Sequence, residues 1–409
     1  MTAPSRVLEQ VAPAPAAPAD ADVGPARLHA HFAATLEWLK AAQDAQPDGG
    51  VSALYTLARG WHRSFPETTG YIIPTMVNAW QATGDQACYD RAVRMGEWLL
   101  GVQHRDGSFP GDRAGSYSGP SVFNTGQILF GLVRLHQVTG EARYLEAAHR
   151  AGTWLAAAQD ADGAWRRWDY LGSTHTYNTR TAWALLLVAR ATGDAACARA
   201  GRANVQWAVG QADPTGFFAG CAFDSAAEGR RYGFWKSLAT IVRQRNLPAF
   251  YTKASLHAIA YTIQGLLESA WLLEDEAAEA AARRAAQVLA RHQEMGLLAG
   301  YYGTGWRREA ASRCLTGIAQ LCIVWTRLHE VRGESLEPAL RAGRYLLRVQ
   351  KLESRNPALR GALAGSDPLY GLYQPFRYPN WAAKFWADAL LLLIGVTSRP
   401  EWLPRLRTW

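Results

Sequence analysis

The densest run of reactive side chains in this 409-residue sequence is Ser173-Thr174-His175-Thr176-Tyr177-Asn178-Thr179-Arg180. An imidazole, a phenol, an amide and a guanidinium follow one another there, and Tyr177 and Arg180, three apart, share a face if a helix starts at this point. His257 and Tyr261 stand at i and i+4, again on one helical face. Similar groups gather at Pro66-Glu67-Thr68-Thr69-Gly70-Tyr71, at Phe123-Asn124, and at Tyr378-Pro379-Asn380-Trp381 with Lys384 beyond. Such groups suit proton abstraction beside a carboxylate. That chemistry needs a base such as Tyr or His, and Asn, His or Arg to neutralise the carboxylate onto which charge spreads.

What positions these groups is a repeat. A Trp-bearing helix end, a Gln and a glycine turn recur together. They read Trp38…Gln43…Asp48-Gly49-Gly50, Trp98…Gln103…Asp106-Gly107-Ser108-Phe109 and Trp154…Gln159…Asp162-Gly163-Ala164-Trp165. Weaker copies lie at Trp207…Gln211…Gly216-Phe217, Gln293…Gly296 and Tyr345…Gln350. From Gln43 the steps to Gln103, Gln159 and Gln211 are 60, 56 and 52 residues; the step to Gln293 is 82 and the next 57. About 56 residues hold two helices of roughly four turns and two connections, so each unit is a helical hairpin. Acidic turns (Gly84-Asp85, Gly140-Glu141, Gly193-Asp194, Gly333-Glu334) separate the helices. Residues 122–135, 182–189, 318–325 and 385–394 are apolar nearly all round, as inner helices must be, whereas 89–100 and 144–157 are amphipathic. Strand signals are nearly absent. The expected fold is all-α, an (α/α)6 toroid of six helical hairpins over residues 26–409, after an Ala/Pro-rich disordered tail at 1–25.

The Gln-x-x-Asp-Gly-aromatic turns, over roughly residues 27–397, make the chain resemble the six-hairpin toroid superfamily of glycoside hydrolases, uronate-acting lyases and sugar epimerases. They also resemble the QW motifs of terpenoid cyclases and prenyltransferase β subunits, and the chain looks like toroid proteins of bacterial exopolysaccharide clusters. Toroidal lyases combine Asn, His, Tyr and Arg. The resemblance therefore implies Tyr177 or Tyr261 as base and acid, His175 or His257 as partner base, and Asn178 with Arg180 as carboxylate clamp. Tyr71, Asn124, Trp306, Tyr378, Asn380, Trp381 and Lys384 are the remaining substrate-binding candidates. The reaction expected is elimination or epimerisation on an anionic, uronate-containing saccharide.

Positions that repeat are structural by this logic: the Trp residues pack between rings, and Asp106 and Asp162 close turns. Positions that break the repeat mark the site, at the end where the inner-helix N-termini and their dipoles gather. The long step inserts a basic, aromatic stretch at about 216–252, including Arg230, Arg231, Trp235, Lys236, Arg243 and Arg245, expected to overhang the mouth. Other readings stand beside this one. Glu67 is the acid of a competing hydrolase reading, which needs two carboxylates; Asp169, Asp224 and Asp367 are the other loop acids. Glu67 with Arg180, and Lys384 with Asp388, are alternatively ion pairs, His175 a helix cap and His257 a satisfied wall residue. Terpenoid cyclisation and a non-catalytic glycan-binding role in polysaccharide synthesis are further alternatives; no Asp-x-Asp-Asp occurs.

Composition bounds the rest. Lys plus Arg number 43 against 35 Asp plus Glu, a formal charge of +8, which favours an anionic ligand. No Lys/Arg block marks a nucleic-acid patch, and no run of about 18 apolar residues is free of charge. The five cysteines, Cys88, Cys197, Cys221, Cys314 and Cys322, are widely spaced without CxxC, so disulfides are not expected and the cytoplasm is. A zinc site from Cys221, Asp224, His257 and Cys314 matches no zinc spacing, and no phosphate-binding glycine loop precedes a strand, so no metal or cofactor is expected.

Overall fold

The repeated Gln, Asp and Gly fold into one turn, built four times by the same chemistry. Asp48, Asp106 and Asp162 each accept a backbone N–H two residues on, at 3.0, 3.0 and 3.1 Å, and Asp213 accepts from Thr215 N at 2.8 Å. The glycines Gly49, Gly107, Gly163 and Gly216 take φ of 93, 94, 88 and 85°, where a side chain is strained. In the first three of these turns the Gln staples the turn to the next unit, whereas Gln211 donates back to Trp207 O at 3.4 Å. Gln103 Nε2 donates to Gly107 O and to Ala147 O, both at 2.9 Å; Gln159 Nε2 donates to Gly163 O and Ala200 O at the same distance. Gln43 and Gln350 do likewise toward Gly49 and Gly361. Such bonds contribute about 0.5–1.5 kcal/mol each.

The computed structural model describes residues 23–111, 119–221, 253–296 and 298–398. Twelve α-helices lie among them. The outer ones are α1 (Pro25–Asp44), α3 (Gln86–Val102), α5 (Ala142–Ala157), α7 (Ala195–Val209), α9 (Glu276–Glu294) and α11 (Glu337–Val349). The inner ones are α2 (Pro66–Thr83), α4 (Val122–Thr139), α6 (Thr179–Thr192), α8 (Leu256–Leu273), α10 (Leu315–Arg332) and α12 (Asn380–Ser398). Every inner helix packs on the next, and α12 packs on α2, so the inner ring is closed. Five hairpins run inner to outer in sequence, and the sixth joins the two ends of the chain, α1 lying on α12. Pro25, the last residue of the expected tail, is thus the first residue of the ring.

Short connections follow from local chemistry. Inner helices α2, α4, α6 and α10 end on left-handed Gly84, Gly140, Gly193 and Gly333. Asp85, Asp194 and Asp275 cap the following outer helices through their carboxylates. At Gly140-Glu141 the acid makes no such cap. Trp38 is buried with its indole N–H on Ala358 O at 2.8 Å, while Trp98, Trp154 and Trp207 are half-buried against the core. All five cysteines are free and buried, and burial pushes their thiols up, to about 11 at Cys221 and about 12 at the other four.

The near-absence of strands has one exception, confined to the loops that lead into inner helices. β1 (Leu54–Thr56) pairs with β2 (Gly60–Trp61) and with β8 (Arg377–Pro379); β3 (Ala254–Ser255), β4 (Tyr301–Gly303) and β5 (Arg307–Arg308) form a second ladder. β6 (Arg313–Cys314) pairs with β7 (Ser366–Asp367). These two- and three-residue ladders tie neighbouring loops into a rim. Helix α12 is long and apolar enough to cross a membrane by composition, but it carries Lys384 and Asp388 and is mostly buried in the ring.

A Cβ at Gly107 would meet Arg150 O at 2.5 Å, whereas one at Gly101 would meet nothing within 4 Å. Gly107→Ala is therefore expected to cost about 2–4 kcal/mol and Gly101→Ala to be neutral or stabilising by up to about 1 kcal/mol. Equal urea midpoints for the two variants would contradict this account of the turn.

Candidate active site

The loop before α6 is organised by one carboxylate. Trp168 (φ 68°) and Gly172 (φ 68°) turn the chain sharply on either side of Asp169. Asp169 Oδ1 accepts from Tyr170 N at 2.8 Å; Oδ2 accepts from Asn178 Nδ2 at 2.5 Å and contacts His175 Nδ1 at 3.1 Å. A carboxylate at Nδ1 fixes the tautomer that leaves the basic lone pair on Nε2. His175 caps no helix; it precedes a single 3-10 turn, Thr176–Asn178, that runs into α6. Asn178 is spent on Asp169 and is a positioning residue.

From His175 an aromatic chain crosses the ring. His175 stacks on Tyr177 at 4.7 Å and 17°, Tyr177 meets Phe123 at 4.9 Å, and Phe123 meets Tyr261 at 5.3 Å. Tyr261 contacts His257 at 4.2 Å and Phe385 at 5.6 Å; Phe385 reaches Tyr71 at 5.7 Å. Tyr71, His175, Tyr177, His257 and Tyr261, expected from units one, three and four, thus meet in one cluster through Phe123 and Phe385, which were not among the expected site residues; from unit six, Lys384 Nζ lies 5.4 Å from the Tyr71 ring. The reason is helical registry: the sixth residue of five inner helices is Tyr71, Gln127, Tyr261, Gln320 or Phe385.

Arg180 lies beneath this cluster, 1% exposed. Its Nε donates to Gln127 Oε1 at 2.9 Å and its Nη1 to Gln264 Oε1 at 2.7 Å. Four rings surround the guanidinium carbon: Phe130 at 4.9 Å, Tyr261 at 5.0 Å, Trp183 at 5.3 Å and Phe385 at 5.6 Å. Among the described residues no carboxylate forms an ion pair with it, so the alternative Glu67–Arg180 bridge is not made. Burial pushes its pKa down.

Glu67, the second residue of α2, is half-buried and makes no hydrogen bond or ion pair among the described residues. Burial raises its carboxyl to about 8, against an opposing pull from Arg180. Its charge would bear on Tyr71, Tyr177 and Tyr261, and all three phenols are driven well above their usual value, burial first. Phenols so shifted keep their protons, which suits hydrogen-bond donors and opposes a phenolate base. His257 Nδ1 lies 2.7 Å from Gln320 Oε1, and burial lowers its pKa to about 3. It is a neutral imidazole at physiological pH, a weak base.

Several expected binding residues instead hold the walls. Asn124 Nδ2 donates to Pro110 O at 3.0 Å; Asn380 Nδ2 donates to Ser52 O at 2.9 Å and Thr68 Oγ1 at 2.8 Å. Trp381 Nε1 donates to Tyr373 OH at 2.8 Å, and Trp306 Nε1 to Thr215 O at 3.1 Å. Tyr378 is a buried residue of β8, opposite Tyr55. Lys384 donates to Asp388 at 2.5 Å, the ion-pair alternative, and its pKa is lowered by burial. Cys221 Sγ sits against Thr176 and Thr262, and Cys314 Sγ accepts from Gly317 N. No three His, Cys, Asp or Glu groups converge to hold a metal among the described residues. Asp224 and most of the basic insertion, Arg230 to Arg245, lie outside the described residues.

Sequence reasoning missed Gln127, Gln264 and Gln320 as a set, and Tyr373. The available signal was a glutamine inside an otherwise apolar inner helix, since buried amides require partners.

Residues 13–213 of the chain match the family described as the beta-L-arabinofuranosidase GH127 catalytic domain. A terpene cyclase–glycosyl transferase fusion protein of Humicola fuscoatra is 27% identical over 223 residues; the match covers 46% of this chain and only 16% of that protein. Among solved structures, an unsaturated glucuronyl hydrolase specific for heparin superposes with a TM-score of 0.69 at 14% identity, covering 92% of this chain and 99% of its own. Cellobiose 2-epimerase from Bacillus thermoamylovorans gives 0.64 at 13% identity, covering 91% and 100%. The fold is that of the six-hairpin toroids.

Glu67 binds its proton more tightly in the folded state, near 8 against 4.5, so its contribution to stability is full below about 4.5 and is lost as pH rises through about 8. His257 acts oppositely, its contribution present above 6.5 and lost as pH falls toward about 3. Between pH 6.5 and 8, wild-type stability should therefore fall with pH more steeply than that of Glu67→Gln in denaturant titrations. Parallel profiles would refute the raised carboxyl.

Proposed function

We propose that this chain is a carbohydrate-active enzyme whose toroid mouth breaks glycosidic bonds by acid catalysis, with Glu67 as proton donor. The observation that carries this reading is the place of Glu67 in the first turn of α2, close enough to bear on the ionisation of Tyr71, Tyr177 and Tyr261, without a hydrogen bond among the described residues and with its carboxyl raised by burial to about 8. A protonated glycosidic oxygen leaves readily, and a donor with pKa near the working pH is the efficient one. Hydrolysis also needs a group to activate water. Asp169 and His175 supply it: Tyr177, stacked on His175, is the phenol whose ionisation both Asp169 and Glu67 oppose. Asp169, both oxygens engaged, orients the imidazole, and His175 accepts the proton of water. The names of the matched family and of the glucuronyl hydrolase lend support to glycoside hydrolysis.

A second reading has its own observation. The Asp169–His175 pair is a base fit for abstracting a carbon-bound proton, with Glu67 returning one; epimerisation or elimination would follow, and the likeness to a sugar epimerase supports it. Terpenoid cyclisation, suggested by the fungal relative, fits less well, because unpartnered buried amide and phenol atoms line the ring where a hydrocarbon would sit.

Proton NMR of acidic and neutral oligosaccharides incubated with the protein in D2O tests both readings. The expected result is new reducing ends without carbon-bound deuterium, and a loss of about 100- to 10,000-fold in turnover for Glu67→Gln. Deuterium at a ring carbon without new reducing ends would replace the first reading by the second. Undiminished turnover in Glu67→Gln would defeat both.

A further inference from the structure

Hydrogen-bond accounting around Arg180 leaves a surplus of one kind. An arginine only donates, so the atoms of Gln127 and Gln264 that meet it must be their carbonyl oxygens, and Gln127 Nε2 is thereby fixed as the outward end of its amide. That Nε2 is buried with no partner among the described residues, and the hydroxyls of Tyr71 and Tyr261 have none there but each other, which leaves one phenol proton unplaced. The two phenols bear on each other's ionisation, and the Tyr261 ring lies on the guanidinium, so these groups share one place. Buried donors left unmade keep the full cost of their desolvation, and a buried cation without an anion costs more. Lys384, the other buried cation nearby, is already matched by Asp388. What is missing beside Arg180 is a group that only accepts and carries negative charge.

We infer that Arg180, Gln127, Tyr71 and Tyr261 form an anion subsite in the ring interior that takes the carboxylate of an acidic sugar. The inference rests on the carbohydrate reading above and adds to it the substrate class. A neutral sugar hydroxyl offers one oxygen that must also place its own proton, which a cluster of donors cannot receive. A carboxylate offers two oxygens with about four lone-pair sites and no proton. Bonds to the charged group are also about twice as strong as neutral ones.

Equilibrium binding of sodium D-glucuronate and of D-glucose, at matched ionic strength and without turnover, tests this. Wild-type protein is expected to bind glucuronate at least about tenfold more tightly than glucose, a difference of about 1.4 kcal/mol. Gln127→Glu keeps the shape and an acceptor for Arg180 Nε while placing a negative charge in the subsite, and is expected to abolish that preference. Arg180→Gln should do the same; if it does not fold, Gln127→Glu still decides. Equal binding of the two sugars, binding of neither, or a preference untouched by Gln127→Glu would overturn the subsite. Glu67-dependent cleavage of neutral glycosides alongside any of those results would leave the hydrolase reading standing. Glucuronate preference without turnover of any glycan would do the reverse.

Discussion

Closing six inner helices into a ring brings the same turn of each to one axis, and whatever side chains stand there are taken from water together. In five of the six helices that position is Tyr71, Gln127, Tyr261, Gln320 or Phe385, with Arg180 entering from the sixth. An all-apolar set would make a more stable barrel core. The polar set instead leaves two amide nitrogens without partners among the described residues, and two phenols with none there but each other. That deficit is tolerated because the outer architecture is overdetermined: repeated Gln staples, Asx turns and caps hold the hairpins independently of what lines the axis.

The electrostatics follow from the same exclusion of water. Glu67 resists ionisation, His257 resists protonation, and the phenols resist losing their protons, so most titratable groups here are driven toward neutrality. Arg180 alone stays charged without a carboxylate beside it, cushioned by four rings and two glutamine carbonyls. A ring that neutralises its own acids while keeping one buried cation is arranged for a visitor's charge. The Asp169–His175 pair, behind Tyr177, is the counterexample that keeps one imidazole beside a carboxylate.

The architecture was legible because its turns repeat: Gln103 and Gln159 perform the same two bonds, and the spacing of such residues counts the hairpins. The candidate site was legible where the repeat breaks, at Glu67, Tyr177, Arg180, His257 and Tyr261, which the fold gathers at one end of the ring. It was illegible in two ways. Asn124, Asn178 and Asn380 fall at matching positions yet serve as staples to Pro110, Asp169 and Ser52, a distinction set by loop paths that no periodicity encodes. Gln127, Gln264 and Gln320 were hidden inside helices read as apolar, although a glutamine there has no other reason to be buried. Closure of the ring was expected, but the pairing of α1 with α12 was not, because a count along the chain pairs each helix with its successor.

The proposed chemistry turns on Glu67 holding its proton at neutral pH in the mouth of the ring. Infrared difference spectra of wild-type protein against Glu67→Gln, recorded from pH 4 to 10, read that proton directly. A protonated carboxyl band is expected at pH 7, present in wild type and absent in the variant, that disappears with a midpoint near 8. A band already lost by about pH 5, the range of an unperturbed glutamic acid, would contradict it.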